Sequence, residues 1–363
     1  MAVQSSAFPI PQSLATSTTW RSRALALLLM VAIAGVFWVD SRYPALLKRY
    51  RSGTHITAAG ALTFGSVYRV EPAMPLGQRV WRTTVNWLDA NRIGMTFSFL
   101  FGPAALMFLA PLRRRKTNSR FLNTLFGAVA GVPLAVCTNC VAPIARGLYA
   151  SGMSTESVLA AMFASPALNV VVLAMSFALF PAWVATLKLL TVLLLIAVFA
   201  PAAAGRMAGS PAAVACPIQI PVEESWTQAL SATARSYVKS FWYVFRVAFP
   251  LMILAAVLGA FVIEALPQQA LAAPVTLGGI LLVALVGAFL PVPMAFDVAI
   301  AYIAMTKGVP LPYVVTILCT LGIISVFSLS VIGKTISWKV AAAAYASVVF
   351  LGTVAGILAR SLG

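Results

Sequence analysis

From Ala24 to Val39, and again from Ile93 to Leu112, the chain runs without one charged side chain. Largely apolar runs, with few charges, recur at Phe121–Val136, Glu156–Phe180, Ala185–Ala200, Trp242–Leu266, Val275–Leu290, Leu311–Ile332 and Val340–Leu358. About 20 such residues cross the ~30 Å hydrocarbon core of a bilayer, and lipid offers the backbone no hydrogen bonds, so runs of this length must be helical. Only 9% of the 363 residues are charged and 61% are hydrophobic, against about 25% charged in soluble domains. The expected fold class is all-α, a polytopic helical membrane protein.

The formal net charge of +17 raises nucleic acid as a partner, but the Lys and Arg residues are scattered between spans and form no basic face. They fit interfacial and cytoplasmic anchoring. Arg21 and Arg23 precede the first span, and Asp40-Ser41-Arg42-Tyr43-Pro44 follows it where a leader would carry small residues, so this span is expected to be an uncleaved signal anchor. Residues 40–90 hold the only histidine, His55, read as a surface residue, and 76–90 suits an amphipathic helix at the bilayer surface. Arg113-Arg114-Arg115-Lys116 is the strongest orientation signal and places its loop in the cytoplasm. The chain divides into 1–90 (anchor and interfacial segment), 91–203 (first repeat), 204–240 (linker) and 241–363 (second repeat).

The repeats are visible in the glycines. Twenty-one residues separate Gly131 from Gly152 and Gly287 from Gly308, and an offset of 156 relates the pairs. Each half reads as a span, a shorter apolar piece, a Pro-broken segment, a Gly turn and two more spans. Cys140–Ala150 and Phe296–Thr306 are too short to cross alone, so each is expected to be one arm of a re-entrant broken hairpin. Each half then crosses three times, which inverts the second half relative to the first. It also puts the 201–240 linker and the Lys334/Lys339 loop inside. Inverted repeats with paired broken helices place a substrate site near the midplane.

The residues that could carry chemistry cluster at those breaks. Cys137 and Cys140, with Thr138 and Asn139 between them, lie at the first hairpin tip. Thiolates are soft ligands that favour thiophilic species, although cysteine also serves as a small buried hydrophobe. Cys319 aligns with Phe163 and is expected to approach the tip, so that Cys137, Cys140 and Cys319 would hold a transported soft ion; Cys216 lies in the linker as an incidental residue. Asp297, which the offset aligns with Val141, is an intramembrane carboxylate and a functional candidate by default, for proton coupling or for ion pairing with Arg146. Arg146 could equally snorkel to a headgroup. Ser165-Pro166-Ala167-Leu168-Asn169 should break the following span, since Pro166 removes a backbone hydrogen bond, and Thr320-Leu321-Gly322 with Ser325 is the matching weak point.

With those residues in view, the chain resembles the predicted-permease family that contains ArsP-type organoarsenical exporters and YraQ-like proteins. Cys137-x-x-Cys140 followed by Pro143, the Gly147…Gly152 turn, Phe163 to Asn169, and the block from Pro291 to Gly308 carry the resemblance, over roughly 91–360. The family tip has a Cys-x-Cys-Gly form, and here Cys137-Thr138-Asn139-Cys140 lacks that glycine. The resemblance implies a multi-pass inner-membrane permease, in some members exporting trivalent methylated arsenic through thiols, and it implicates Cys137, Cys140, Pro166 and Asn169.

No phosphate-binding G-x-x-x-x-G-K-[ST] occurs, so transport would run on gradients. The leading expectation is a secondary permease for a soft, thiophilic solute, neither an enzyme nor a cofactor carrier, with the bilayer and a small solute as its partners. A transmembrane thiol–disulfide electron carrier using Cys137, Cys140 and Cys319 is the alternative. A non-catalytic membrane subunit is a third reading, which predicts no cavity near the tips.

Overall fold

The computed structural model describes residues 20–44, 47, 67–71, 73–109, 119–150, 152–207, 225–265, 275–292, 294–306 and 308–362. The expectations for His55, Cys216 and Arg113 to Lys116 fall outside these residues. Among the described residues every regular element is helical, as the apolar runs require.

Two helices lead in. α1 (Trp20–Phe37) continues as a π-helical turn, Trp38–Arg42, and α2 (Leu76–Leu109) packs against it. Residues 76–90 do not form a separate surface helix: they continue without a break into the span that follows. Large apolar side chains such as Leu28, Val31 and Val36 stay exposed on α1, which is the surface a helix offers to lipid.

The first half then runs α3 (Arg120–Gly131), a short 3-10 turn, α4 (Thr138–Ala150), α5 (Thr155–Ala167), α6 (Val170–Leu179) and α7 (Ala182–Leu194), which a π-helical turn joins to α8 (Ala200–Arg206). The second half opens with α9 (Trp226–Ala265) and repeats the order: α10 (Leu277–Phe289), α11 (Phe296–Thr306), α12 (Leu311–Thr320), α13 (Val326–Thr335) and α14 (Trp338–Leu362). Ala182–Arg206 and Trp338–Ser361 are each long and apolar enough to cross a membrane, as is Trp20–Ser41.

Local chemistry confirms the correspondence. Ser119 caps α3 and Thr276 caps α10, each accepting from a backbone N–H in the first turn. Gly152 and Gly308 both sit at positive φ, 87° and 80°. Each closes the same C-terminal turn, with Met153 N–H on Leu148 O and Val309 N–H on Ala304 O. Both long runs that follow are broken where the sequence suggested: α5 and α6 meet at 46° across Leu168 and Asn169, and α12 ends at Thr320 before α13 begins at Val326. Asn169 and Ser325, 156 residues apart, cap the new helices.

The hairpin arms are short. α4 has 13 residues and α11 has 11, or about 20 Å and 17 Å at ~1.5 Å per residue, well under the hydrocarbon thickness. α5 is buried along its whole length, between α3 and α4. Contacts between the halves are reciprocal: α4 packs on α13, and α11 packs on α6. Equivalent elements exchanging partners is the signature of a two-fold relation. The architecture is that of a polytopic all-α membrane protein whose two halves follow one order of elements, each with a short broken hairpin.

Candidate functional site

Both hairpin tips end in strained backbone. Ala135 and Ala295 hold positive φ of 46° and 66°, a conformation that costs a residue with a Cβ about 1–3 kcal/mol and that persists only where its surroundings impose it. Two tryptophans supply part of that imposition. Trp38 Nε1 donates to Pro133 O at 2.9 Å, and Trp87 Nε1 donates to Pro291 O at 2.8 Å. Pro133 and Pro291 are the matching prolines of the two tips, so the π-helical turn after α1 holds one and α2 holds the other. Trp38→Phe and Trp87→Phe should each lower stability by about 1 kcal/mol, read as a shift in thermal unfolding of the detergent-solubilised protein.

The first tip reaches across to the break of the other half. Thr138 Oγ1 donates to Gly322 O at 2.7 Å, and Ser325 Oγ donates to Asn139 Oδ1 at 2.7 Å. Asn139 is fully buried, and its Nδ2 has no hydrogen-bond partner among the described residues. Gly322 holds φ of 78°, and a Cβ there would stand 3.1 Å from Asp297 Cβ and 3.2 Å from Cγ. Only glycine meets both the backbone and the space. The second tip's carboxylate therefore lies on one side of the Gly322 backbone whose carbonyl binds the first tip.

Cys137 and Cys140 are joined as a disulfide at the start of α4, and Cys140 N–H also reaches Cys137 Sγ at 3.1 Å. Gly94 of α2 lies against Cys140, where a Cβ would stand 2.9 Å from the sulfur. Cys319 forms no disulfide among the described residues. Its thiol meets the Thr191 hydroxyl and the charges of Lys188 and Asp297. The expected three-thiol cluster is not assembled: Cys137 and Cys140 pack in one core with Ile144 and Phe163, Cys319 in another with Val171 and Val298. Among the described residues no three His, Cys, Asp or Glu side chains are placed to hold a metal ion. The reason is axial position, since Cys319 sits inside α12 ahead of its break while the tip reaches the residues after it.

The expected pairing of Asp297 with Arg146 is corrected too. Asp297 forms a salt bridge with Lys188 of α7, their side chains 7% and 1% exposed. α7 packs on α12, which packs on α11, so the lysine reaches the start of α11 within the bundle. Arg146 is buried on α4. Lys188 went unread in the sequence although the signal was there, the only charge between Ala185 and Ala200.

Ser165 and Asn169 shape the first break. Ser165 Oγ meets Val136 N–H at 3.3 Å, fixing the tip loop to α5. Asn169 Oδ1 accepts from Val172 N–H, while its Nδ2 donates to Ser165 O and Pro166 O at 2.9 and 3.0 Å. The asparagine thus serves the carbonyls that α5 leaves open near Pro166 and the first amides of α6. Both residues are fully buried.

A family model described as a predicted permease, ArsP_1, matches residues 113–361, well over half of the chain. The chain belongs to this permease family. Over 251 residues it is also 29% identical to UPF0718 protein YraQ of Escherichia coli (strain K12), covering 68% of this chain and 70% of that protein. No solved structure matches. Family and fold together make this chain a membrane transport protein. Both tips, both breaks, Lys188 and Cys319 lie inside the matched region of the permease, whereas Trp38, Trp87 and Gly94 precede it.

Proposed function

We propose that this permease is a multi-pass inner-membrane secondary transporter that moves a soft, thiophilic small solute, such as a metalloid species, past the first hairpin tip. The observation that carries this reading is the Cys137–Cys140 pair. Two sulfurs stand at the start of a broken helix, buried at 3% and 1% exposure, beside the break of the opposite repeat. Irregular backbone at that depth is tolerated only where protein or a watery cavity covers it. The bound form is the reduced pair, because only a thiolate binds a soft centre. Asn139, Ser165, Pro166 and Asn169 shape the surroundings of the solute, and Cys319 with Thr191 lines a separate position near Lys188.

A thiol–disulfide electron carrier is the second reading, favoured by the disulfide itself at a helix start. It requires the pair to meet a partner thiol in turn, whereas both sulfurs are enclosed and Cys319 packs in the other core.

The two readings separate in vesicles. With phenylarsine oxide as the probe under reducing conditions, Cys137→Ser and Cys140→Ser should each lower protein-dependent flux by tenfold or more, with the protein still correctly inserted. Flux unchanged in both variants would remove the soft-solute reading. Trapping of a mixed disulfide between Cys137 or Cys140 and a soluble dithiol protein, with no flux of the arsenical, would establish the carrier.

A further inference from the structure

The two tip helices begin in register. Pro133 and Pro291 are 158 residues apart, and so are Thr138 and Phe296, the first residues of α4 and α11. The offset closes to 156 at Gly152 and Gly308 because α11 is two residues shorter than α4. Asp297 is therefore the counterpart of Asn139, not of Val141 as a constant offset implies. Each is the second residue of its helix, and each is buried.

Their partners do not match. Asn139 is bound across the halves by Ser325, the cap of α13. The two-fold equivalent of that bond would join Asp297 to Asn169, the cap of α6, on which α11 packs. Instead Asp297 is held by Lys188, and the Asn169 amide turns back onto Ser165 and Pro166. One tip is tied across the halves by neutral groups; the other is held by a charge pair. A protonated carboxyl has the shape of an amide and, like it, can both donate and accept. Adding one proton to Asp297 would make the two tips chemically alike.

We propose that Asp297 and Lys188 form a proton-exchange site coupled to transport, with Asp297 leaving Lys188 for the Asn169 cap when it takes up a proton. This coupling rests on the permease reading above. The balance is simple. A proton from one aqueous face bonds to the Asp297 carboxylate oxygen, the N–H···O bond from Lys188 is lost, and Lys188 keeps its three protons. A buried ammonium without a counter-charge is strongly unfavourable, so the protonated site must let water or a solute anion reach Lys188. Protonation and closure then exclude one another, which is the coupling.

Few other titratable groups bear on the pair. α12 contributes Cys319 and Tyr313, α7 contributes only Lys188, α6 contributes none, and α11 itself adds Tyr302. α5 and α14 also pack on α7; α5 carries Glu156, and α14 carries Lys339, Tyr345 and Arg360. Tyr313 sits near the cap of α10, its hydroxyl 3.4 Å from Thr276 N, and the Tyr302 ring packs on Phe180. The chain has eight carboxylate side chains in all, few enough for assignment by substitution.

The test is acid-minus-alkaline infrared difference spectroscopy of the full-length protein in nanodiscs. Wild type should gain a carboxylic-acid C=O band on acidification. Asp297→Asn should lose it, Glu156→Gln should keep it, and Asn169→Ala should shift its frequency by removing the new hydrogen bond. If Asp297→Asn does not fold, the double variant Lys188→Met/Asp297→Leu replaces it and should likewise lack the band. A band that survives removal of Asp297 overturns the exchange site, as does wild type with no acid-induced band. A band unmoved in Asn169→Ala overturns the transfer to the cap. Arsenical flux in Cys137→Ser and Cys140→Ser, with Asp297, Lys188 and Asn169 intact, reads the permease function separately, so failure of the coupling is distinct from failure of the permease reading.

Discussion

Replacing Lys188 by methionine should destabilise the folded permease by about 3–5 kcal/mol, the loss that follows when one member of a buried ion pair is removed and the other stays charged. The Lys188 side chain is 1% exposed and that of Asp297 is 7%, so water screens little of the interaction. The same reasoning gives the second half of the experiment. Lys188→Met/Asp297→Leu, which removes both charges, should recover most of the loss, because two apolar groups of similar size avoid the desolvation penalty altogether. Denaturant unfolding in detergent measures both. Equal destabilisation in the single and double variants would mean that the pair contributes packing and not charge. Recovery of stability without acid-induced protonation would show that the pair is kept for a purpose other than stability.

Gly127→Ala and Gly131→Ala should each cost about 1–3 kcal/mol or more, and together should prevent the first half from assembling. α3 meets α5 through these two glycines. A Cβ on Gly127 would overlap the Ser157 backbone, and one on Gly131 would stand 2.6 Å from Ala161 O. Neither obstacle is a side chain that can swing away, and α5 is buried all round, so it has no free side to retreat to. Small residues four apart let membrane helices approach closely where no hydrophobic force between helices is available. Gly35→Ala is the control: among the described residues no neighbouring element comes within 4 Å of a Cβ there, and replacing a helical glycine by alanine should be neutral or stabilising by up to about 1 kcal/mol. Insertion and unfolding yields of the three variants decide it.

The spans and the repeat could be read from the chain because both rest on strong local signals. Uncharged runs of bilayer length allow one structure, and Gly152 and Gly308 mark turns that need positive φ. The breaks were legible at Pro166 and Asn169, where a lost backbone bond stands beside a side chain able to replace it. What failed were statements about which side chains meet. Arg146 looked like the partner of Asp297 because it lies on the corresponding hairpin of the first half. Lys188 is four helices along the chain and reaches Asp297 only through the packing of α7 on α12. Its isolation in an apolar run was the available clue, since an ammonium at membrane depth needs a counter-charge. Cys319 was drawn towards the tip by alignment alone, and alignment cannot say which side of the break a thiol occupies. The register error at Asp297 has the same origin: a constant offset of 156 ignores the two residues by which α11 is shorter than α4. Gly127 and Gly131 were also open to reading as a close-packing pair, and only Gly131 was used, as a repeat marker.

The account stands on the meeting of the first tip with the break of the second half. In a background lacking native cysteines, Asn139→Cys/Ser325→Cys puts one thiol on each of two side chains that hydrogen-bond at 2.7 Å. Mild oxidation in native membranes should form an intramolecular cross-link, seen as a mobility shift reversed by reducing agent, while Asn139→Cys paired with Ser361→Cys at the end of α14 should form none. Cross-linking of Asn139→Cys/Ser325→Cys no greater than in that control pair would contradict the joining of the two repeats at a shared site.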